Sequence, residues 1–450
     1  MVAHFARTEL KRALSLLDSM MINIGSMIGS GIFLVPATLA LYLHSSGLVM
    51  VVWIVGGIVS LFGALSVAEL GALYPRAGGL YVYLSEAYGP LWGFLYGWTA
   101  FAVIMTGAIS AVGVGFATYL GHFIPLSEVG IKIVAIASIV LLTAVNCFGV
   151  KAGALVQNGF TFLKIATLGA FVLLGLVWNG GTIHHPTAPL ESAPMSDLAG
   201  PFGLALVAVL WSYDGWIEIT YVAGEVKNPR RNIPLSLILS TMFVVVIYTL
   251  VNYTYLSVLS LDAISTSTLV AADAATVIIG PGGAAMAAIA VIIATMGSNN
   301  GFVLTGARIY YAMATDRMFF RFFSFVHPKY QTPIPSLIGQ GIWASALVMT
   351  GTFDQLFTYV IFSSWIFYAM AAGAVMVLRA KAPLRARSYK TWGYPVTPIV
   401  FMLFSLYLVI NTLIEDPRDA LVGLGIISLG VPAYLYWKGL SNETRRQVPY

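Results

Sequence analysis

Long apolar segments, separated by short polar connections, repeat along the whole chain. A helix needs about 20 mainly apolar residues to cross a bilayer. The pattern therefore predicts an all-α integral membrane protein with twelve transmembrane helices. The predicted spans cover residues 16–42, 47–73, 87–120, 130–149, 155–178, 200–224, 233–260, 284–312, 334–351, 356–379, 396–414 and 420–437.

The lysine and arginine residues predict the orientation of these spans. Almost all of them lie at the termini or in even-numbered connections, and the odd-numbered connections hold almost none, with Lys132 and Arg418 as the exceptions there. Cytoplasmic loops of membrane proteins are enriched in basic residues. We therefore expect a multi-pass protein of the cell membrane (inner or plasma membrane) with both termini in the cytoplasm.

The composition excludes a soluble protein. Of the 450 residues, 59% are hydrophobic and only 9% are charged, whereas soluble domains carry about 25% charged residues. The net charge of +5 is explained by the basic loops, so we expect the lipid bilayer and no nucleic acid as a partner. The one cysteine, Cys147, allows no internal disulfide.

The sequence lacks the motifs that mark common catalytic sites. Neither HExxH nor GxSxG occurs, so we expect no enzyme and no cofactor. His184 and His185 are adjacent in the connection 179–199. No cysteine or further histidine accompanies them in this connection, so we expect no metal site there.

Two spans contain interruptions. GSMIGSGIF, residues 25–33, places glycines and serines inside the first span, and WSYDGW, residues 211–216, lies inside the sixth. Irregular backbone at mid-membrane persists only where it lines a cavity or is buried in protein, and paired interruptions are typical of a transporter binding site. Spans one to five and six to ten are therefore predicted to form inverted repeats. The alternative for the first stretch is a GxxxG packing face formed by Gly25 and Gly29.

These repeats define the predicted organisation of the chain. It consists of a cytoplasmic N terminus (1–15), a first repeat (16–178), an extracellular loop (179–199), a second repeat (200–379), a cytoplasmic loop (380–395), two further helices (396–437) and a cytoplasmic C terminus (438–450).

The two interruptions together predict a receptor for the main-chain groups of an amino acid. A half-helix that begins after Gly29 exposes amide groups to a carboxylate, and the ends of the preceding half-helices, near Met27 and Trp211, expose carbonyl oxygens to an ammonium group. The predicted substrate-binding residues are Met27, Ile28, Gly29, Ser30, Gly31, Trp211, Ser212, Tyr213 and Asp214.

Four stretches resemble the amino acid–polyamine–organocation superfamily, and its L-amino-acid-transporter branch in particular. They are GSMIGSGIF, YDGWIEITYVAGEVKNPRRNIP (213–234), NGFVLTGARIYYAMATDRMFF (300–320) and YKTWGYPVTP (389–398). The resemblance implies a five-plus-five inverted-repeat fold, with discontinuous first and sixth helices and two extra C-terminal helices. It also implies transport of amino acids by alternating access.

Lys164 lies inside the fifth span, away from the basic loops. A lysine within a membrane is expensive and is usually functional, although its side chain could also extend to the cytoplasmic interface. In the family, a lysine at this place resembles a substitute for a sodium ion between the first and eighth helices. We therefore expect Lys164 to bond carbonyls of the first interruption and Ser298, and we expect transport that is independent of sodium.

Asp214 and Glu218 are four residues apart, so they share a helix face if the helix resumes after the interruption. One or both could face the pathway, where they would favour a cationic substrate or carry a proton. Alternatively, protein partners hold them away from the substrate. Some family members have a glycine where Asp214 stands. The substrate class of those members is therefore a weaker guide to the substrate of this protein.

Two further residues have predicted roles. The resemblance gives Trp211 the place of an aromatic gate that closes over the substrate. Glu225 is expected to form an ion pair near the cytoplasmic face with Lys227, Arg230 or Arg231.

The sequence thus predicts a sodium-independent secondary transporter of L-amino acids, working by exchange, facilitated uptake or proton-linked uptake. One alternative is a carrier of cationic amino acids or polyamines that uses Asp214 and Glu218. Another is a membrane sensor that binds amino acids without transport. Animal members of the branch are often joined to a heavy subunit through a cysteine between spans three and four. Residues 121–129 contain none, so we expect no such partner.

Overall fold

The computed structural model describes the backbone of residues 10–178, 195–350 and 353–446, and the side chains of 10–178, 200–350 and 359–440. These ranges are helical apart from turns, loops and one isolated bridge between Leu14 and Val226. The α-helices are α1 (Leu16–Met27), α2 (Gly31–Leu43), α3 (Ser46–Leu73), α4 (Leu80–Tyr88), α5 (Pro90–Thr99), α6 (Met105–Leu120), α7 (Glu128–Cys147), α8 (Val150–Val177), α9 (Met195–Ser212), α10 (Pro229–Val258), α11 (Leu261–Ser265), α12 (Val270–Ile279), α13 (Gly283–Thr315), α14 (Ile334–Thr350), α15 (Phe353–Lys381), α16 (Val396–Glu415) and α17 (Pro417–Arg446).

The prediction of an all-α integral membrane protein is confirmed. In the described ranges, nine helices are long and apolar enough to cross a membrane, and α1 and α2 form a further span that is bent by 40°. One of the nine, Pro90–Leu120, runs through a single π-helical turn at Ala100–Ile104. The sixth and ninth predicted spans correspond to shorter apolar helices, Gly200–Ser212 and Ile334–Thr350, so the count of twelve stays a prediction.

The connections between the spans contain short helices that the hydrophobic pattern does not show. Helix α4 is not predicted; it follows Gly79, whose φ is +49°. The long connection 261–283 contains the short helices α11 and α12; loops of that length often carry structure of their own. His184 and His185 lie outside the described residues.

Helix α1 is attached to α8 by polar contacts that begin near its N-terminal end. Asp18 accepts hydrogen bonds from Lys151 at 2.7 Å and from Asn158 at 2.9 Å. One turn further, the Thr161 hydroxyl donates to the carbonyl of Met21 at 3.0 Å. These contacts fix the register of α1 on α8 and place Lys164 beside the end of α1.

Glu225 connects the segment after the second interruption to α13 and to the chain before α1. The Glu225 carboxylate binds the Arg308 guanidinium at 2.7 and 3.2 Å, and both side chains are fully buried. The prediction that Glu225 pairs with a basic residue of its own loop is therefore wrong: α13 supplies the partner. The Glu225 carbonyl also accepts the N–H groups of Ala13 and Leu14, and Lys227 N–H donates to the Leu14 carbonyl at 2.8 Å.

Candidate functional site

The first interruption lies at residues 28–30. Helix α1 ends at Met27 and α2 begins at Gly31. Among the described residues, nothing accepts a hydrogen bond from the backbone N–H groups of Ser30, Gly31 and Ile32. Because the N-terminus of a helix carries partial positive charge, these N–H groups form a ready-made site for an anion.

The second interruption follows α9, which ends at Ser212. Residues 213–217 form turns, and Gly215 has a φ of +101°, a conformation that glycine adopts readily. The chain then continues in a 3₁₀ turn, Glu218–Thr220, rather than in an α-helix. The condition for Asp214 and Glu218 to share a helix face is therefore not met, and the two carboxylates have separate partners.

The two interruptions contact each other directly. A β-carbon on Gly215 would stand 2.8 Å from the carbonyl carbon of Ser26, and one on Gly31 would stand 3.0 Å from the Cα of Ser212. Any side chain at either glycine would push the two segments apart. The glycines therefore allow the ends of the broken helices to meet.

Tyr248 of α10 joins the two helix ends. Its buried hydroxyl lies 2.7 Å from the carbonyl oxygen of Met27 and 3.1 Å from that of Ser212. The Met27 carbonyl also accepts the Gly29 N–H at 2.8 Å. The Met27 carbonyl itself is therefore not free, and the Trp211 carbonyl is not free either, because it accepts the Asp214 N–H at 2.9 Å. In the described chain, the neighbouring Ser26 carbonyl receives no hydrogen bond.

Lys164 points into the first interruption and does not extend to the interface, since only 2% of it is exposed. Its ammonium group donates to the carbonyls of Gly25 at 2.6 Å and Ile28 at 2.7 Å, and to the Ser298 hydroxyl at 3.1 Å. Ser298 Oγ also lies 3.0 Å from the Gly25 carbonyl and 3.1 Å from that of Ile28. A fixed positive charge thus stabilises the carbonyl oxygens that the break in α1 releases.

A small cavity of about 30 Å³ lies where the interruptions meet. One water molecule needs about 10–15 Å³ of such volume, so the cavity accommodates about two. It is bounded by both broken helices, α6 and α13, and its lining residues are Ser26, Met27, Gly29, Ser30, Gly31, Val112, Trp211, Ser212, Asp214, Ser298 and Phe302.

Some of the other predicted site residues line this cavity, and others do not. Asp214 lines it and accepts a hydrogen bond from the Tyr368 hydroxyl at 2.9 Å. Glu218 does not line it; its carboxylate contacts the Thr305 hydroxyl of α13. Tyr213 also points elsewhere, because its hydroxyl donates to the Trp53 carbonyl at 3.2 Å. Ile28 contributes its carbonyl to Lys164 rather than a wall of the cavity.

The sequence interpretation missed two residues that position the site. Tyr248 lies in an apolar span without a recognisable motif, so no sequence signal marks it. Asn23 could have been recognised from the sequence, because a polar amide side chain inside a membrane span is unusual and often functional. Its side chain accepts the Ile219 N–H at 2.9 Å and donates to Ser240 Oγ at 3.2 Å, which connects α1 to the second interruption and to α10.

Two broken helices that meet around a small cavity in a helical membrane protein are the arrangement typical of a membrane transporter. The sequence profile of the amino acid permease family matches residues 14–427. The chain belongs to this family, within the amino acid–polyamine–organocation superfamily, and is a transport protein rather than an enzyme.

Similar proteins cover nearly the whole chain. The serine/threonine exchanger SteT of Bacillus subtilis is 33% identical over 434 residues, which is 96% of this chain and 98% of that protein. The human b(0,+)-type amino acid transporter 1 is 30% identical over 91% of this chain and 84% of its own length. The large neutral amino acids transporter small subunit 2 of mouse is 32% identical over 95% of this chain and 82% of its own length.

Proposed function

We propose that this protein exchanges L-amino acids across the cell membrane by alternating access, without sodium and with both termini in the cytoplasm. The observation that carries the proposal is the position of Lys164, whose ammonium group binds two carbonyls of the first interruption. Similarity to a serine/threonine exchanger over almost the whole chain supports exchange as the mode of transport.

The free main-chain groups suit the two ends of an amino acid. The N–H groups of Ser30, Gly31 and Ile32 would bind the α-carboxylate at the positive end of α2. The Ser26 carbonyl is an available acceptor for the α-ammonium group, and Ser26 lines the same cavity. Both contacts use groups common to all amino acids, so the side chain must be selected by the remaining wall.

The environment of Lys164 argues against a sodium ion. The carbonyl oxygens of Gly25 and Ile28 and the hydroxyl of Ser298 lie 2.6, 2.7 and 3.1 Å from its ammonium nitrogen. Such oxygens are also the ligands that hard cations take. Since a covalently attached cation already satisfies them, a second cation at the same place would meet strong repulsion.

The cavity must open for a substrate to enter, because about 30 Å³ is too little for an amino acid. Trp211 and Phe302 form its large apolar walls. We assign Trp211 the role of the gate that closes over bound substrate. In this proposal, α1 and α9 move relative to α8 and α13, and this movement opens the cavity to each side of the membrane in turn.

Asp214 supports a second candidate, a carrier of cationic amino acids. It lines the cavity with a carboxylate that accepts hydrogen bonds from the Tyr368 hydroxyl and from the backbone N–H of Gly215. A cationic side chain would lie next to this carboxylate, whereas a neutral substrate gains nothing from it.

Uptake into proteoliposomes tests the proposal. Labelled serine, threonine, leucine and lysine should each be offered with and without internal amino acid, in sodium and in choline buffers, and with and without a pH gradient. We expect uptake that requires internal amino acid and is equal in sodium and choline. Uptake into empty vesicles would contradict exchange, and binding without any flux would identify a sensor.

The same vesicles test whether one chain is sufficient. Residues 121–129 contain no cysteine for a disulfide-linked heavy subunit, and Cys147 is a free thiol at the end of α7. We therefore propose that the purified protein transports alone. Activity that appears only after a second protein is added would overturn this point.

A further inference from the structure

Glu218 is a buried acid that the proposed binding of main-chain groups does not use. Only 3% of the residue is exposed, and it lies in the 3₁₀ turn directly after the second interruption. The carboxylate has one hydrogen-bond partner in the described chain, the Thr305 hydroxyl of α13. The turn itself is held by Asn23, which accepts the Ile219 N–H at 2.9 Å.

The Thr305 hydroxyl has only one hydrogen for two oxygen acceptors. It lies 2.9 Å from the carbonyl oxygen of Gly301, the usual acceptor for a threonine within a helix, and it also contacts Glu218 Oε2. If Thr305 donates to Gly301, its oxygen is free to accept a hydrogen bond. Both contacts are then satisfied when Glu218 supplies the second hydrogen from a protonated carboxyl group.

Among the residues that the structure describes, no cation near Glu218 offers an alternative. Arg308, one turn along α13 from Thr305, donates to Glu225 and to the Leu304 carbonyl, and Lys164 is bound to α1. The titratable groups that face Glu218 are an acid and four tyrosines, namely Asp214, Tyr96, Tyr221, Tyr310 and Tyr368. An ionised carboxylate in these surroundings would be buried beside another acid without a counter-charge, which is far more costly than a neutral carboxyl group.

We propose that Glu218 is a proton-binding site of the transporter. The proton is held in the hydrogen bond from Glu218 to Thr305 as long as the segment after α9 is packed against α13. Because this closed arrangement is a step of the exchange cycle, loss of the proton slows exchange. The inference that deprotonation slows exchange rests on the proposed function. The inference that Glu218 carries a proton does not depend on it.

The hydrogen balance on deprotonation is simple. The carboxyl proton leaves to solvent, and the Thr305 hydroxyl turns its hydrogen from the Gly301 carbonyl to the carboxylate. The Gly301 carbonyl keeps its backbone hydrogen bond within α13. The new cost is the buried negative charge beside Asp214, and movement of the turn away from α13 into a wetter environment relieves it.

The exchange rate as a function of pH tests the inference in vesicles. Wild-type exchange should fall as the pH is raised, by about tenfold per pH unit above the midpoint, as for release of one proton. The isosteric variant Glu218→Gln keeps a hydrogen-bond donor and no charge, so its rate should stay constant within about twofold over the same range. As the matched control, Asp316→Asn changes an acid that bonds the Tyr81 hydroxyl and does not line the cavity, so it should keep a wild-type pH dependence. A Glu218→Gln profile that falls like the wild type would overturn the proposal.

Infrared spectroscopy provides a readout that does not require transport. A protonated carboxyl group absorbs separately from a carboxylate, and we expect a carboxyl band in the wild type that disappears at high pH and is missing from Glu218→Gln. Identical spectra of the two proteins at neutral pH would refute a protonated Glu218, whether or not either protein exchanges amino acids. If the band is present and no flux occurs, the proton site stands and exchange is rejected.

Discussion

A β-carbon on Gly297 would stand 2.6 Å from Cε of Lys164. Helix α13 therefore has a gap at the point where the lysine side chain passes toward α1. The gap lies one residue before Ser298, which binds the same ammonium group. Position 297 thus controls whether the lysine reaches the carbonyl oxygens of the first interruption.

Gly297→Ala should displace the Lys164 ammonium group and reduce exchange by at least about tenfold, because a shift of a few tenths of an ångström lengthens hydrogen bonds of 2.6 and 2.7 Å. Initial rates in proteoliposomes measure the effect. Gly159→Ala is the matched control: Gly159 lies in α8 with open space around it, and alanine there should stabilise the helix by about 0.5–1 kcal/mol. Equal losses in both variants would contradict the assigned role of Gly297.

Removing the charge itself is a stronger change. Lys164→Ala leaves Ser298 as the one side-chain donor for the carbonyls of Gly25 and Ile28, and each buried acceptor left unsatisfied costs about 1–3 kcal/mol. We expect exchange to fall by more than about tenfold in sodium and in choline alike. Unchanged kinetics would exclude the coupling role of this lysine, and rescue by sodium would show that the vacated oxygens bind the ion.

The hydroxyl of Tyr248 is expected to hold the two broken helices together. Tyr248→Phe removes the donor from the carbonyls of Met27 and Ser212, which should destabilise the protein by about 1–3 kcal/mol and slow exchange. The control is Tyr253→Phe on the same helix, since that side chain is 39% exposed. Thermal unfolding in detergent gives the midpoint temperature of each variant. Equal midpoints would argue against the proposed role of Tyr248 in holding the two helices together.

Asp214 is expected to influence substrate choice. Asp214→Asn removes a negative charge from the cavity wall, so the ratio of lysine to serine uptake should fall by about threefold or more. Asp316 offers a matched acid, because it accepts a hydrogen bond from the Tyr81 hydroxyl at 2.9 Å but does not line the cavity. Asp316→Asn should leave the ratio unchanged. A ratio that is the same in all three proteins would rule out contact between Asp214 and the substrate side chain.

The buried ion pair of Glu225 and Arg308 should matter for stability far more than a surface pair. Glu225→Gln leaves the fully buried guanidinium without its counter-charge, a loss of about 3–5 kcal/mol. Glu86→Gln breaks a pair with Arg76, whose side chain is 54% exposed, and should cost no more than about 1 kcal/mol. Unfolding midpoints in the same detergent measure both, and a smaller shift for Glu225→Gln would show that the buried pair is dispensable.

Much of the fold could be predicted because a membrane imposes strong local constraints. The apolar spans follow from their length, and the first interruption lies within the cluster of glycines and serines, at residues 28–30. Lys164 was predictable as a functional residue because burying a charge within a span has a high cost. Each of these features depends on a short stretch of sequence.

The remaining features depend on contacts between distant residues, which no local pattern reveals. Tyr248 joins two helix ends that are far from it in sequence. The partner of Glu225 is Arg308 rather than one of the three basic residues within its own loop, because the buried position of its side chain is set by tertiary packing. The course of the chain after Ser212 also differs from a resumed helix, since the turn is shaped by Asn23 from α1.

The backbone hydrogen bonds among Ala13, Leu14, Glu225 and Lys227 have a mechanical consequence. They tie the start of the first broken helix to the segment that follows the second, at a point far from the cavity. Movement of either segment is therefore transmitted to the other through these hydrogen bonds. The two broken helices must either tilt together at this end or break these backbone contacts before they separate.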